Sequence, residues 1–177
     1  MKLIVLDRDG TINHDSDNYI KSPAEWKPIK GSLEAIARLS QGGYRLVVAT
    51  NQSGLGRGLF DMAALNAIHD TMHRAVHQAG GRIDAIFFCP HAADAGCACR
   101  KPKPGLLLEI AARMNVDLRN VPMVGDSRKD IDAAAAAGAK PVLVLTGNGR
   151  KTRDAGDLPA GTQVCADLAA FAARLTP

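Results

Sequence analysis

Asp7 and Asp9 stand one residue apart at the end of the apolar run Leu3-Ile4-Val5-Leu6. Such a run reads as a buried strand, and unpaired carboxylates at a buried position are costly. At a strand's carboxyl end they can share a metal ion, with one left free to attack or to move protons. Gly10 permits a sharp exit from the strand. A further carboxylate, Asp126, follows a second apolar run, Val121 to Val124. Carboxylates facing one point repel unless a cation lies between them. Hard oxygen ligands in an open site suit Mg²⁺, which keeps waters and touches phosphate. Thr50 adds a hydroxyl and Lys101 a positive charge, and backbone N–H groups after Asp7 add donors. Such a set is a receptor for a phosphoryl group.

The elements that must position these groups alternate along the chain. Strand-like runs cover 3–6, 44–49, 83–88, 121–124 and 141–145. Helix-like runs cover 32–40, 61–78, 104–114, 130–137 and 167–175, with Ser32 and Asp61 as caps. An irregular polar stretch reaches Lys30, a glycine-rich loop covers 52–60, and a basic loop follows Leu145. This order predicts an α/β fold, a doubly wound parallel sheet with helices on both faces. Ligands of such sheets sit outside the carboxyl ends of the strands. Asp7, Asp9, Thr50, Asn51 and Asp126 all fall there, with Lys101 in a following loop.

A second cluster is Cys89, His91, Cys97 and Cys99, in an alanine-rich segment with no core of its own. Two close pairs of soft ligands read as a closed structural Cys₃His zinc site. A closed site has no open position for catalysis, so it would fix the loop that carries Arg100 and Lys101. Cys165 stands alone and reads as a buried filler.

A length of 177 residues suits one domain spanning 1–177. The net charge of +4 favours anionic ligands but falls short of a nucleic-acid-binding surface, and aromatics are only 4%. The apolar run at the start is too short for a signal peptide and no run approaches membrane-spanning length. The expectation is a cytoplasmic protein, monomeric, binding neither nucleic acid nor membrane.

With Asp7-Arg8-Asp9-Gly10-Thr11, Thr50-Asn51-Gln52-Ser53-Gly54, Arg100-Lys101-Pro102 and Gly125-Asp126-Ser127 with Asp130 in that order, the chain resembles the haloacid dehalogenase superfamily of phosphatases. The resemblance implies that Asp7 is the nucleophile and Asp9 the proton shuttle. It implies Mg²⁺ held by Asp7, the Asp9 main-chain carbonyl and Asp126, with Thr50 and Lys101 on the transferring phosphoryl group. Lys103 competes for the lysine role, but the likeness favours Lys101. Asp130 would orient Lys101 or the metal's waters.

The cysteine loop narrows the likeness to the heptose-bisphosphate phosphatases and their near relatives, the histidinol-phosphate phosphatases. Arg100 to Gly105, the Thr50 to Gly58 loop and the absence of a fused second catalytic domain favour the former. The Ala92 to Gly96 spacer between the two ligand pairs is shorter than in many members of the family the chain resembles. The implied reaction is Mg²⁺-dependent removal of the 7-phosphate from a small-molecule sugar bisphosphate, feeding activated heptose to lipopolysaccharide or another surface polysaccharide. Histidinol phosphate stays open as the alternative substrate. A phosphate-binding module with decayed catalysis is the alternative of another class, against which the intact Asp7/Asp9 pair stands.

Residues 12–30 are too few for a separate cap domain, so loops must cover the substrate. Asp15, Ser16, Asp17, Asn18 and Tyr19 form either a sugar-binding loop or a solvated turn. Arg8, Asn51, Gln52 and Ser53 are further candidates for substrate contact. Arg100 suits a second, non-reacting phosphate, because its fork pairs bidentately with phosphate oxygens. Arg150, Lys151 and Arg153 read as a solvated loop that could steer an anion.

Overall fold

A computed structural model of the chain describes residues 1–176. Strands β1 (Leu3–Leu6), β2 (Arg45–Asn51), β3 (Ala85–Cys89), β4 (Pro122–Gly125), β5 (Lys140–Val144) and β6 (Gln163–Cys165) form one sheet. Their order is β3-β2-β1-β4-β5-β6 and every pairing is parallel. The connections are α1 (Ser32–Gln41), α2 (Ser53–Gly56), α3 (Met62–Gln78), α4 (Gly105–Met114), α5 (Arg128–Ala137) and α6 (Gly149–Asp154), with α7 (Leu168–Leu175) last.

Side-chain alternation along the strands divides the core in two. Ile4, Leu6, Leu46 and Val48 face α1, α3 and α7 through Ile36, Leu39, Ile68, Met72 and Phe171. Leu3, Val5, Val47 and Ala49 face α4 and α5 through Leu106, Leu107, Ile110, Ala133 and Ala134. Because both faces are covered, the strands read as continuous apolar runs.

The chain turns to β2 on one side of β1 and later to β4 on the other, which makes the carboxyl end of β1 the topological switch point. Leu6 is in register with Val48 of β2 and Val124 of β4. Asp7 directly follows Leu6, and Thr50 and Asp126 come two residues after Val48 and Val124, so all three emerge at the carboxyl edge of neighbouring strands.

Several elements differ from the sequence expectation. Ser32 is not a side-chain cap: Gly31, at φ 85°, is the N-cap, and the Ser32 hydroxyl donates to the Thr11 carbonyl. The Gln52 to Phe60 loop contains α2, and the basic loop after Leu145 contains α6. Helix α5 starts at Arg128 because Ser127 and Asp130 form a capping box, so Asp130 lies one turn inside. Strand β6 has no counterpart in the sequence pattern: it is a three-residue edge strand with no alternation, and Cys165 is buried at its end. The stretch up to Lys30 is polar only on its outside, since Ile12, Ile20, Trp26 and Ile29 are buried and tie it to the core.

Candidate active site

Asp7 leaves β1 with its backbone N–H donating to the Val124 carbonyl at 2.8 Å. Lys101 reaches it from the loop before α4. The ammonium is 2% exposed and donates to Asp7 Oδ1 at 2.9 Å, Asp130 Oδ1 at 2.6 Å and the Ala49 carbonyl at 2.7 Å. Its backbone is clamped by Asn51, whose amide accepts from Lys101 N and donates to the Lys101 carbonyl, both at 3.0 Å. Lys103 turns the other way, exposed, and donates to the Cys97 carbonyl at 3.0 Å. Of the two candidate lysines, only Lys101 lies among the carboxylates.

Asp126 follows β4, and its Oδ2 accepts from Asn148 N at 2.7 Å. Glycines make room for it. A Cβ on Gly10 (φ +83°) would lie 2.1 Å from Asp126 Oδ2, and one on Gly147 (φ +51°) 2.2 Å. Carboxylate oxygens of Asp7, Asp126 and Asp130 lie within 4.8 Å of one another. Burial, then the charge of Asp130, raises Asp7 well above the carboxylate range and lifts Asp126 to about 7. Burial opposes the charge on Lys101, but Asp130 and Asp7 outweigh it and hold the ammonium charged. Three buried acids around one cation leave an excess of negative charge that a divalent ion removes. An all-oxygen donor set of this kind fits Mg²⁺.

Asp9 is held by four donors. Its Oδ1 accepts from Arg8 Nε at 3.0 Å, Arg8 Nη2 at 2.8 Å and Asn13 Nδ2 at 2.9 Å; its Oδ2 accepts from Gln52 Nε2 at 3.0 Å. Gln52 also donates to Thr50 Oγ1 at 2.9 Å. Gln52 and Asn51, expected to contact substrate, thus also orient Asp9, Thr50 and Lys101.

These groups open into a pocket of about 590 Å³, within the usual range for small-molecule sites. Asp15, Ser16, Asp17, Tyr19, Ser53 and Arg100 line it. Two expectations are corrected. Arg8 is completely buried and spends its guanidinium on Asp9 and His69 inside the protein, so it does not face the pocket. Asn18 is exposed outside the pocket lining, where its carbonyl accepts from Lys21 Nζ. Arg128, Lys129 and Asn148 line the pocket without having been singled out, and Lys151 faces it from α6 rather than from a solvated loop. Arg128 and Lys129 directly follow Gly125-Asp126-Ser127, a position that was the available signal. Nothing in the sequence marked His69 or Asn13.

The second cluster also assembles. Cys89 Sγ lies 3.3 Å from Cys99 Sγ, 3.6 Å from Cys97 Sγ and 3.5 Å from His91 Nδ1, and Cys99 Sγ lies 3.3 Å from His91 Nδ1. Those separations approach the edges of a tetrahedron around zinc, roughly 3.5–3.8 Å for metal–ligand bonds of about 2.0–2.3 Å. Burial and the neighbouring thiols push Cys99 up to about 12. Burial opposes ionisation of Cys97 too, but the Arg100 backbone N–H and the other thiols bring it down to about 6. Thiols this close cannot all ionise without a cation, and the soft donor set fits zinc. Arg100 follows the last ligand directly, and its buried Nη1 has no hydrogen-bond partner in the protein.

Residues 98–171 match the HAD-hydrolase-like family model. The D-glycero-beta-D-manno-heptose-1,7-bisphosphate 7-phosphatase of Bordetella bronchiseptica is 64% identical over 175 residues, 99% of this chain and 98% of that protein. The protein of the same name from Pseudomonas putida is 51% identical over 175 residues, 99% of each chain. Among solved structures, the D,D-heptose 1,7-bisphosphate phosphatase of B. bronchiseptica, complexed with magnesium and phosphate, superposes with a TM-score of 0.98 at 64% identity, covering 99% of this chain and 98% of that one. The corresponding phosphatase of Burkholderia thailandensis gives 0.80 at 53% identity, covering 98% and 97%.

Proposed function

This chain belongs to the D-glycero-beta-D-manno-heptose-1,7-bisphosphate 7-phosphatases of the haloacid dehalogenase-like hydrolases, and from that premise we propose how its residues remove the 7-phosphate. Asp7 attacks phosphorus in line, the bond from phosphorus to the C7 oxygen breaks, and an aspartyl-phosphate forms. Asp9 gives its proton to the departing C7 alkoxide. The same carboxylate then takes a proton from water, which attacks the aspartyl-phosphate and returns Asp7 and inorganic phosphate. Lys101 and Thr50 hold the phosphoryl oxygens while charge spreads over them. Mg²⁺, held by Asp7, Asp126 and the Asp9 carbonyl, supplies positive charge to those oxygens. Asp130 keeps Lys101 aimed, through its 2.6 Å bond.

One observation carries the bisphosphate reading. Arg100 lines the same pocket as the Asp7–Lys101–Asp126 cluster, and its Nη1 is buried without a hydrogen-bond partner in the protein. A guanidinium so placed suits a second, non-reacting phosphate, here the 1-phosphate. Asp15, Ser16, Asp17 and Tyr19 offer groups for the sugar hydroxyls. The zinc loop fixes Arg100 and Lys101 and takes no part in the chemistry.

The test compares kcat/KM for the β-1,7-bisphosphate, its α anomer and histidinol phosphate. The β anomer is expected to exceed histidinol phosphate by at least about 100-fold, a difference of roughly 2.7 kcal/mol in transition-state binding. Equal or better turnover of histidinol phosphate would overturn the substrate assignment. We read the enzyme as a cytoplasmic monomer acting on small molecules. Light scattering after size exclusion and cell fractionation test that reading. Among the described residues, no helix is long and apolar enough to cross a membrane.

A further inference from the structure

The geometry points to His69 as a positioning residue for Asp9, acting through Arg8; the inference rests on the phosphatase reading above. His69 lies on α3, outside all the phosphatase motifs. It is 8% exposed, with its ring tilted against Phe88 at a centroid separation of 6.4 Å. Its Nε2 lies 3.1 Å from Arg8 Nη1. A guanidinium can only donate, so Nε2 is the acceptor and the ring proton sits on Nδ1. Burial, reinforced by the charge of Arg8, keeps the imidazole neutral, with its pKa brought down to about 3. The acceptor therefore persists throughout the neutral range.

Arg8 has no access to solvent, so water does not substitute for a lost partner. Its Nε and Nη2 grip Asp9 Oδ1 while Nη1 is tied to His69. The third tie fixes the plane and direction of the fork. With the Asn13 amide, Oδ1 accepts three hydrogen bonds. Oδ2 accepts only from Gln52. Oδ2 is therefore the oxygen free to carry the transferable proton, and the His69–Arg8 tie determines where it points. General acid catalysis depends on that direction.

The experiment uses the leaving group to separate this role from a structural one. For a phosphatase with a covalent intermediate, kcat/KM reports the steps through departure of the first product. An alkyl phosphate needs a proton on its leaving oxygen; 4-nitrophenyl phosphate does not. His69→Leu is expected to lower kcat/KM about tenfold on an alkyl phosphate, a small part of what general acid catalysis supplies. On 4-nitrophenyl phosphate the same variant is expected to stay within about twofold of the native enzyme. His69→Gln, whose carbonyl can take the place of Nε2, is expected to restore the alkyl value. An equal loss on both substrates, no loss on the alkyl ester, or no rescue by Gln would each overturn the proposal. If His69→Leu does not fold by circular dichroism, His69→Asn, too short to reach Arg8, carries the same comparison. Because the readout is an alkyl-to-aryl ratio, it stands even if the heptose ester is refused. That refusal would count against the substrate assignment alone.

Discussion

At Lys101, burial and two carboxylates act in opposite directions on the same ammonium, and the carboxylates prevail. The resemblance left open whether Asp130 orients Lys101 or the metal's waters; the fold brings Asp130 Oδ1 directly onto the Lys101 ammonium at 2.6 Å. Asp130→Asn should lower kcat about tenfold or more, since a charge-assisted bond to Lys101 is lost. It should also lower Tm, because Asp130 Oδ2 accepts from both Ser127 N and Ser127 Oγ. Steady-state kinetics and a melting curve read the two effects separately. Asp7→Asn should reduce turnover by at least about 1,000-fold, because the nucleophile itself is removed, while circular dichroism still shows a folded chain. Turnover near that of the native enzyme would refute the assignment of Asp7.

His69 gives a pH test at the same scale. Its unfolded-state value is near 6.5 and its folded value about 3. Between those limits the unfolded chain binds the extra proton. The contribution from keeping His69 neutral is complete above about pH 6.5 and is lost as pH falls towards 3. The limiting slope is about 1.4 kcal/mol per pH unit. Urea denaturation at pH 7, 6 and 5 should show stability falling on acidification, with a shallower slope in His69→Gln.

At the scale of elements, the turns after β1 and β5 are shaped by what they must admit. Gly10 and Gly147 both approach the Asp126 carboxylate too closely for a Cβ, and both have positive φ. Gly147→Ala should cost about 1–3 kcal/mol through overpacking and weaken Mg²⁺ binding. Isothermal titration and denaturant unfolding measure the two losses; unchanged Mg²⁺ affinity would show that the turn does not shape the metal site. We propose the cysteine loop, with zinc bound, as the other positioning element. Removing zinc, with Mg²⁺ then restored, should raise KM more than it lowers kcat, since Arg100 and Lys101 lose their anchor. Full activity in a zinc-free preparation would contradict that role. These functions were unevenly legible. Strand ends and cysteine spacing are local patterns, so the carboxylate cluster and the cysteine–histidine cluster could be named from the sequence. The inward course of Arg8, the reciprocal bonds of Asn51 and the placement of Lys151 on α6 depend on contacts between distant segments.

At the scale of the molecule, the alternation of apolar and helical runs was enough to indicate a doubly wound sheet, because buried parallel strands carry continuous apolar sequences. It missed β6, where Gln163-Val164-Cys165 is too short and too mixed to register. We propose that all 177 residues act as one folding unit, supported by a six-stranded sheet packed on both faces. A single cooperative transition, coincident by fluorescence and circular dichroism, is the expected result. Two separated transitions would contradict it. On the proposed mechanism, the carboxylates at the end of β1 remove one phosphate and spare the other. Phosphorus NMR of the β-1,7-bisphosphate during turnover with Mg²⁺ tests it most directly. Loss of the 7-phosphate signal, growth of inorganic phosphate and a persistent anomeric phosphate are expected; loss of the anomeric signal first, or no hydrolysis, would refute the assignment.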